Sequence, residues 1–362
     1  MPTADSTHTS NTSGNKPYKL EIIDCDAVSP TRIHWVWENY LAEGHITTFN
    51  GEPGSGKSLI TIDIAARITA GRDFPVGHNL LSPSKVLLLT EEEDLAATIL
   101  PRFLVAEGNP KLLKTLIVNN GDNMFDIGKH WPLLIRELQG QDYKLIIIDP
   151  LIDYTCAKPN QDEEVRPVLR KLFKICQELG VACAGISHLN KKEEQKAIHR
   201  ASGARAWTAV PRFNFLVGKG DGEMRHICPL KNNLIEDSKK SLDFRTKDTV
   251  YQVEDGGQMF DTHHPRIAWA GLGVATAQGL LESQSKQSEQ FGEGYQDCIR
   301  LILKDGEWHP KADVIKEIQA ESAVSERTIE RVAYRMPDLE RTRTGTPARC
   351  YWRLRSVPTV PK

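Results

Sequence analysis

The chain has 362 residues, a formal net charge of −2, 40% hydrophobic residues and 26% charged residues. This composition is ordinary for a globular protein and excludes a polycation, so any surface for nucleic acid must be local. No apolar run approaches the roughly 18 residues needed to span a bilayer, which predicts a cytoplasmic protein with no membrane partner. The seven cysteines are scattered and form no Cys-x-x-Cys pair, which argues against a disulfide framework or a zinc site.

The first half of the chain alternates between strand-like and helix-like patterns. Residues 1–20 are polar, lack the apolar stretch of a secretory signal and are expected to be disordered. The predicted strands that follow read HITTFN, KVLLLT, KTLIVNN, KLIIIDP and VACAGISHL, and the predicted helices cover residues 58–70, 95–107 and 163–179. This alternation predicts an α/β fold with a mostly parallel sheet flanked by helices.

The pattern changes after residue 212. Short runs, RFNFLV, RHICPL, SLDFRT and TVYQV, are separated by turn residues and predict an antiparallel extension of the same sheet. The adjacent His263 and His264 have no clustered metal ligands beside them and are expected in a surface turn before Pro265. One domain over residues 21–270 accounts for both patterns.

A second, smaller domain is predicted at the C-terminal end. Residues 271–293 are rich in Gly, Ser and Gln, which is typical of a flexible linker. Three short helical patterns and two short strands around Gly345 follow within residues 294–356. Three helices with a β-hairpin predict a winged helix-turn-helix.

The segment GEPGSGKS, residues 51–58, matches the phosphate-binding pattern G-x-x-x-x-G-K-[ST] without a departure. Glycines let the backbone curl so that its N–H groups face a phosphate, and the following helix adds its positive N-terminal end. Lys57 is expected to reach the β- and γ-phosphates of ATP, and the Ser58 hydroxyl to ligate Mg²⁺. The predicted nucleotide-binding residues of this loop are Gly51, Glu52, Pro53, Gly54, Ser55, Gly56, Lys57, Ser58 and Leu59.

Two acidic residues follow buried strands downstream of this loop. Asp149 ends the run LIIID and is expected to hold the Mg²⁺. Because Pro150 comes next, this strand offers no adjacent second carboxylate, and Glu91, directly after KVLLLT, is the better candidate for the base that activates water. The three acids after Glu91 are expected to complement the dipole of the next helix, and the same role is the alternative for Glu91.

Further polar residues lie at later strand ends. His188 ends the fifth predicted strand, where it can contact the γ-phosphate. Arg212 opens the next strand and can reach the ATP of a neighbouring subunit as an arginine finger, with Arg205 as the second choice. Lys231 is a further candidate for contact with the γ-phosphate across an interface. Structural roles are the alternative for each of them.

These elements, in this order, resemble the RecA/DnaB-type ATPase core and are most similar to the AAA_25 group, which includes RepA-type hexameric helicases of plasmids. The resemblance covers about residues 35–253 and rests on WVWENYLAEGHITTFNGEPGSGKS, LLLTEEED, LIIIDP, SHLNKK and ASGARAWTAVPRFNFLV. It implies that the strand before Glu91 lies beside the phosphate-loop strand. The chain departs from the group's paired histidines, with Ser187 before His188, and from the DnaB-type Lys-x-Arg pair, with Asn233 after Lys231-Asn232.

The resemblance also implies a ring, usually of six subunits, with ATP and Mg²⁺ between subunits and single-stranded DNA in the centre. The loop after the His188 strand lines the channel in such rings. The predicted DNA-binding residues of that loop are Lys191, Lys192, Lys196 and Arg200, and a solvated loop without a DNA contact is the alternative.

The stronger basic signal lies near the C-terminal end. Between residues 341 and 355 there are five arginines and no acid, with Tyr351 and Trp352 among them. The DNA-binding residues predicted in this domain are Arg327, Thr328, Arg331, Arg341, Arg343 and Arg349. A winged helix that contacts protein is the alternative.

The sequence therefore predicts an oligomeric Mg²⁺-dependent ATPase acting on single-stranded DNA, similar to a replicative helicase, in replication of a plasmid, phage or mobile element. Its expected partners are further copies of the chain, DNA and replication proteins. Two alternatives stay open. One is an ATP-switched DNA-binding regulator or loader that reads duplex DNA without unwinding it, and the other is a RecA/RadA-like recombination mediator.

Overall fold

A computed structural model describes residues 22–79, 81–91, 93–116, 125–155, 158, 160–188, 205–220, 222–233, 240–322, 324–345 and 348–355, except the side chains of 284–291. The chain divides into a segment up to His34 and one large unit from Trp35 onward. The described part of the first segment contains a 3₁₀ turn at Cys25–Ala27. The disorder predicted for residues 1–20 falls outside the described residues.

The large unit is built from short strands and helices. Its strands are β1 (Trp35–Trp37), β2 (Leu41–Ala42), β3 (Ile46–Gly51), β4 (Lys85–Thr90), β5 (Leu113–Thr115), β6 (Tyr143–Asp149), β7 (Ala182–His188), β8 (Phe213–Lys219), β9 (Arg225–Asn232), β10 (Ser241–Asp255), β11 (Gln258–Gly273), β12 (His309–Pro310), β13 (Leu339–Thr344) and β14 (Arg349–Leu354). Its helices are α1 (Lys57–Ala70), α2 (Leu100–Val105, after a π-helical turn at Leu95–Ile99), α3 (Ile127–Leu138), α4 (Asp162–Leu179), α5 (Ala206–Ala209), α6 (Ala277–Ile302), α7 (Lys311–Glu321) and α8 (Glu326–Tyr334). Within the described residues, no helix is both long enough and apolar enough to traverse a bilayer.

One large sheet organises the unit, in the order β11-β10-β9-β8-β3-β7-β6-β4-β5. The strands from β8 to β5 are parallel, and β9, β10 and β11 continue the sheet antiparallel. Buried side chains of α1 and α2 pack on one face, and those of α3 and α4 pack on the other. The predicted α/β fold with a mostly parallel sheet and an antiparallel extension is confirmed.

The position of β4 corrects one expectation. The strand before Glu91 was expected beside the phosphate-loop strand, but β7 and β6 lie between β3 and β4. A parallel strand is reached by a long crossover, which can pass over other strands before it pairs. Chain order therefore did not reveal which strands are neighbours, and β4 pairs with β6, the strand that ends at Asp149.

Two elements between β4 and β6 also differ from the prediction. Strand β5, Leu113–Thr115, contains only the first two residues of the expected run, Lys114 and Thr115, and residues 117–120 of that run lie outside the described residues. Helix α3 was not predicted. It buries Ile127, Leu134 and Leu138 in the same core cluster as α4, so three well-spaced apolar side chains were enough to hold it.

Strands β10 and β11 form one long antiparallel hairpin, where two short strands and a histidine turn were expected. His263 and His264 lie within β11, opposite β10 residues. In the outer part of the hairpin, β10 and β11 form hydrogen bonds only with each other, and their side chains are largely exposed. An exposed strand has no continuous apolar run, so the sequence gives no such strand signal there. The signal that was overlooked is the turn: Gly256 and Gly257 have φ of 58° and 80°, as two-residue hairpin loops require.

The structure also corrects the prediction of a flexible linker. Residues 271–293 belong to β11 as far as Gly273 and to α6 from Ala277 onward. Thr276 caps this helix through its hydroxyl, and Leu280 and Leu281 are buried against the sheet. Composition favoured flexibility, but a capped first turn with two buried leucines fixes the helix.

The C-terminal part forms a separate small core. After α6 the chain continues through β12, α7, α8, β13 and β14, and the strands form an antiparallel sheet in the order β12-β14-β13. Ile299, Ile315, Ile329 and Trp352 are among its buried residues. The three helices and the hairpin expected here are present, with β12 as an additional short strand.

Candidate active site

The loop between β3 and α1 has a backbone that favours glycine at three positions. Gly54 and Gly56 have φ of 72° and 100°, in the left-handed region. A Cβ atom on Gly51 would lie 2.2 Å from the carbonyl oxygen of Val217. The Lys57 ammonium donates hydrogen bonds to loop carbonyl oxygens, including that of Gly51 at 2.9 Å. The loop is therefore tightly curled at the N-terminus of α1.

The ends of β6 and β7 lie beside this loop and create a cleft. Gly51 at the end of β3 is in register with His188 at the end of β7. The cleft has a volume of about 290 Å³ and is lined by Pro53, Gly54, Gly56, Lys57, Ser58, Leu59, Glu93, Arg102, Asp149, Ile186, His188, Arg225 and Pro265. The structure thus brings the predicted Lys57, Ser58, Asp149 and His188 into one cavity.

Two cleft residues fit a role in holding Mg²⁺. Ser58 and Asp149 supply a hydroxyl and a carboxylate, and nucleotide-bound Mg²⁺ is held by one or two such protein oxygens together with phosphates. In the described part of the chain, no three His, Cys, Asp or Glu side chains are grouped to hold a metal ion by themselves. These donors therefore fit an ion that enters with the nucleotide.

Glu91 follows β4 at the same edge of the sheet. Thr90 is in register with Asp149, so Glu91 begins one residue beyond the level of Asp149. The pKa of buried Tyr154 is raised, first by burial and then by the negative charges of Glu91, Asp153 and Asp149. These three carboxylates therefore lie around one phenol. Glu91 is exposed and is not among the described residues that line the cleft.

The acids after Glu91 have different roles from one another. Asp94 caps the following helical turn, because its carboxylate accepts a hydrogen bond from the backbone N–H of Ala97 at 2.6 Å. Glu93 instead forms an ion pair with Arg102, and both side chains line the cleft. Asp94 thus fills the capping role that was the alternative for Glu91, and Glu92 lies outside the described residues.

Arg212 and Lys231 lie near each other, on the side of β3 where β8 and β9 continue the sheet. The backbone N–H of Arg212 donates to the carbonyl oxygen of Ile46, at the opposite end of β3 from the phosphate loop. The pKa of Lys231 is lowered, first by burial and then by the charge of Arg212. The Lys231 ammonium donates to the carbonyl oxygen of Thr208 at 3.0 Å. Neither cation is among the described residues that line the cleft.

Arg205, the second choice for a finger, lies in a local ion cluster before α5. The pKa of Asp162 is lowered, first by a hydrogen bond from Arg166, then by the backbone N–H of Ala206, with the charge of Arg205 contributing. Asp162 begins α4, so this cluster joins α4 to α5. Arg205 therefore lies near Asp162 and is not among the described residues that line the cleft.

Sequence reasoning missed five residues that line the cleft: Glu93, Arg102, Ile186, Arg225 and Pro265. Two of them come from the antiparallel side of the sheet, on β9 and β11. The hairpin is held against α1 by Trp269, whose indole N–H donates to the Asp63 carboxylate at 2.8 Å. Strand order brings Arg225 and Pro265 to the loop, so no local motif marks these two residues.

The predicted DNA-binding arginines divide into bonded and unbonded side chains. Arg341 donates to the carbonyl oxygen of Ala333 and lies over the ring of Tyr334, 5.1 Å from its centroid. Within the described residues, Arg327, Arg331, Arg343 and Arg349 are exposed and form no ion pair. Thr328 lies at the start of α8, with its hydroxyl 2.9 Å from that of Ser325. Lys191, Lys192, Lys196 and Arg200 lie outside the described residues.

Comparison with known families identifies the core. The model of the AAA_25 family, an AAA domain, matches residues 12–194. That span includes the phosphate loop, Glu91, Asp149 and His188, and it ends before Arg212. A search of curated proteins found no match.

Proposed function

Because the chain belongs to the AAA_25 family, whose AAA domain implies nucleotide hydrolysis, we propose that it is an oligomeric Mg²⁺-dependent ATPase acting on single-stranded DNA. In this proposal the loop N–H groups and Lys57 bind the phosphates of ATP. Ser58 and Asp149 hold Mg²⁺, which neutralises charge on the β- and γ-phosphates. Glu91 orients and deprotonates the attacking water, and His188 contacts the γ-phosphate.

The observation that supports an oligomer is the distance between Arg212 and the cleft that contains Lys57. Lys57 lies in the cleft, whereas Arg212 is exposed near the opposite end of β3 from the loop. The six residues of β3 span about 20 Å, which is beyond the reach of an arginine side chain. In a closed assembly, Arg212 of one subunit meets the cleft of the next and stabilises the transferring phosphoryl group. Lys231 accompanies it.

The nature of the partner rests on charge and on the family resemblance. We propose that the C-terminal helices and hairpin form a winged helix whose unbonded arginines contact DNA phosphates. A ring of six subunits that unwinds DNA during replication of a plasmid, phage or mobile element follows from the resemblance to RepA-type helicases.

One experiment tests this function. Phosphate release is measured without DNA, with single-stranded DNA and with duplex DNA, while the mass of the particle is determined with and without nucleotide. We expect stimulation by single-stranded DNA, nucleotide-dependent oligomers and no hydrolysis by Lys57→Ala. A rate that is indifferent to DNA contradicts the motor, and full activity in an isolated monomer contradicts the shared site.

A second candidate is an ATP-switched regulator or loader that reads duplex DNA. The exposed arginines on α8 and on the β13–β14 hairpin favour it, because a helix and a wing are the parts that dock on a duplex. Slow ATP turnover, absence of unwinding and a sequence-specific footprint would select this candidate over the motor.

A further inference from the structure

Arg225 rests against the phosphate loop from a strand that no motif connects with nucleotides. It is the first residue of β9 and is in register with Phe244 of β10. Its Nη1 atom lies 3.1 Å from the position that a Cβ on Gly56 would occupy. The side chain also lines the cleft that contains Lys57 and Asp149.

The charge of Arg225 has no counterion in the described part of the chain. Arg102, the other arginine of the cleft, forms an ion pair with Glu93, whereas no described carboxylate pairs with Arg225. The side chain is half-buried, and burial lowers its pKa. A partly desolvated cation without an anion is costly unless a ligand supplies the negative charge.

The position of Arg225 along the cleft indicates which phosphates it meets. Asp149 and His188 mark the end where Mg²⁺ and the γ-phosphate are expected. Arg225 instead adjoins Gly56, in the part of the loop whose N–H groups cradle the α- and β-phosphates. Leu59 in the first turn of α1 lines the same cleft.

We propose that Arg225 is a nucleotide-binding residue of its own subunit, whose guanidinium binds the α- and β-phosphates that ATP and ADP share. The proposal rests on the nucleotide-binding part of the proposed function. It differs from the role of Arg212, which belongs to the neighbouring subunit and acts on the γ-phosphate. Arg225 therefore contributes to affinity for both nucleotides and does not distinguish them.

The test compares three variants by calorimetric titration with Mg²⁺ and either ADP or a non-hydrolysable ATP analogue, without DNA. Arg225→Gln removes the charge, Arg225→Lys keeps it, and Arg245→Gln removes an exposed arginine from the adjacent β10. We expect Arg225→Gln to weaken both nucleotides about tenfold, the loss of one charge-assisted contact. Arg225→Lys should weaken both nucleotides less than Arg225→Gln does, since an ammonium keeps the positive charge but loses the fork of the guanidinium, and Arg245→Gln should bind like the wild type.

A second measurement separates binding from folding. Without nucleotide, the thermal midpoint of Arg225→Gln should equal or exceed that of the wild type, because an uncompensated cation has been removed. The upward shift caused by ADP should be smaller, because the stabilisation by a ligand falls with the logarithm of its affinity. A lower midpoint with an unchanged shift would give Arg225 a structural role and overturn the proposal.

Two titration outcomes also overturn it. Wild-type affinity in Arg225→Gln means that the side chain does not contact nucleotide, and a loss confined to the ATP analogue means that it contacts the γ-phosphate. Failure of the wild-type protein to bind either nucleotide would instead overturn the proposed function, and this proposal with it.

Discussion

Thr90 and Asp149 are in register on the neighbouring parallel strands β4 and β6. Each of them ends its strand, so Glu91 leaves the sheet beside the expected Mg²⁺ ligand. The shared influence of Glu91 and Asp149 on the pKa of Tyr154 agrees with this closeness. A carboxylate one water away from the γ-phosphate is what a general base requires.

We therefore expect Glu91→Gln to lower the rate of ATP hydrolysis by about 100-fold or more, as the loss of a general base does. Affinity for ATP should change little, because Glu91 does not line the cleft among the described residues. Phosphate-release assays and nucleotide titrations measure the two effects. Asp153→Asn is the matched control, since the charge of Asp153 also raises the pKa of Tyr154 but Asp153 lies beyond the end of β6. Hydrolysis at the wild-type rate would instead favour Glu93, which lines the cleft together with Asp149, as the base.

Two glycines of the phosphate loop allow the cost of a steric clash to be compared with the cost of a positive φ angle. A Cβ at Gly51 would collide with the Val217 carbonyl oxygen at 2.2 Å, whereas a Cβ at Gly54 would meet no described atom within 4 Å. Gly51→Ala should lower the free energy of unfolding by about 3 kcal/mol and abolish ATP binding, because the loop must move. Gly54→Ala should cost about 1 kcal/mol through its positive φ and keep binding. Chemical denaturation and the ATP-induced thermal shift measure both, and equal losses would contradict the role of the Val217 contact.

The sequence predicts those parts of the site that depend on local chemistry. Strand β4 was predicted with its observed bounds, Lys85–Thr90, because a strand buried on both faces is a continuous apolar run. The loop before Lys57 was found because the curled backbone needs glycines at fixed positions. His188 and Asp149 followed from the ends of such runs, and all three lie in one cleft.

The parts that were missed depend on long-range pairing. The order β3-β7-β6-β4 is set by how the crossover connections pack, and the residues of β4 do not indicate which strand lies beside it. Arg225 reaches the loop only because β9 and β10 pair beside it, and Pro265 only because the hairpin packs against α1 through Trp269. Such contacts join residues far apart in the chain, so a single sequence carries no periodic signal for them.

The position of Arg212 predicts complementation between two inactive variants. Mixed assemblies of Glu91→Gln and Arg212→Ala subunits should regain activity at interfaces where an intact Glu91 meets an intact Arg212. In a random equal mixture, about a quarter of the interfaces of a cyclic assembly meet this condition. Phosphate release by the mixture, set against each variant alone, measures the recovery. The control is the Arg205→Ala variant in place of Arg212→Ala. Because Arg205 lies near Asp162, this variant alone should hydrolyse ATP at close to the wild-type rate. No recovery, with mixed assemblies confirmed by mass, would remove the finger role from Arg212.

The final prediction separates bonded from unbonded arginines in the β13–β14 hairpin. Arg343 and Arg349 are exposed and form no ion pair within the described residues, whereas Arg353 donates to Glu340 at 2.7 Å. The double variant Arg343→Ala/Arg349→Ala should weaken duplex binding for all sequences alike. Each lost phosphate contact should also reduce the slope of log affinity against log salt by about 0.9. Fluorescence anisotropy at several salt concentrations measures both.

Arg353→Ala is the matched control for this prediction, because its guanidinium is already bonded to Glu340 and lies over the Trp308 ring, 4.5 Å from the centroid. Removing it should leave the salt slope unchanged and act mainly on the stability of the hairpin. If Arg353→Ala reduces the slope more than the double variant does, the hairpin does not meet DNA through its unbonded arginines. Unchanged affinity in both variants would favour the alternative in which this winged helix contacts protein.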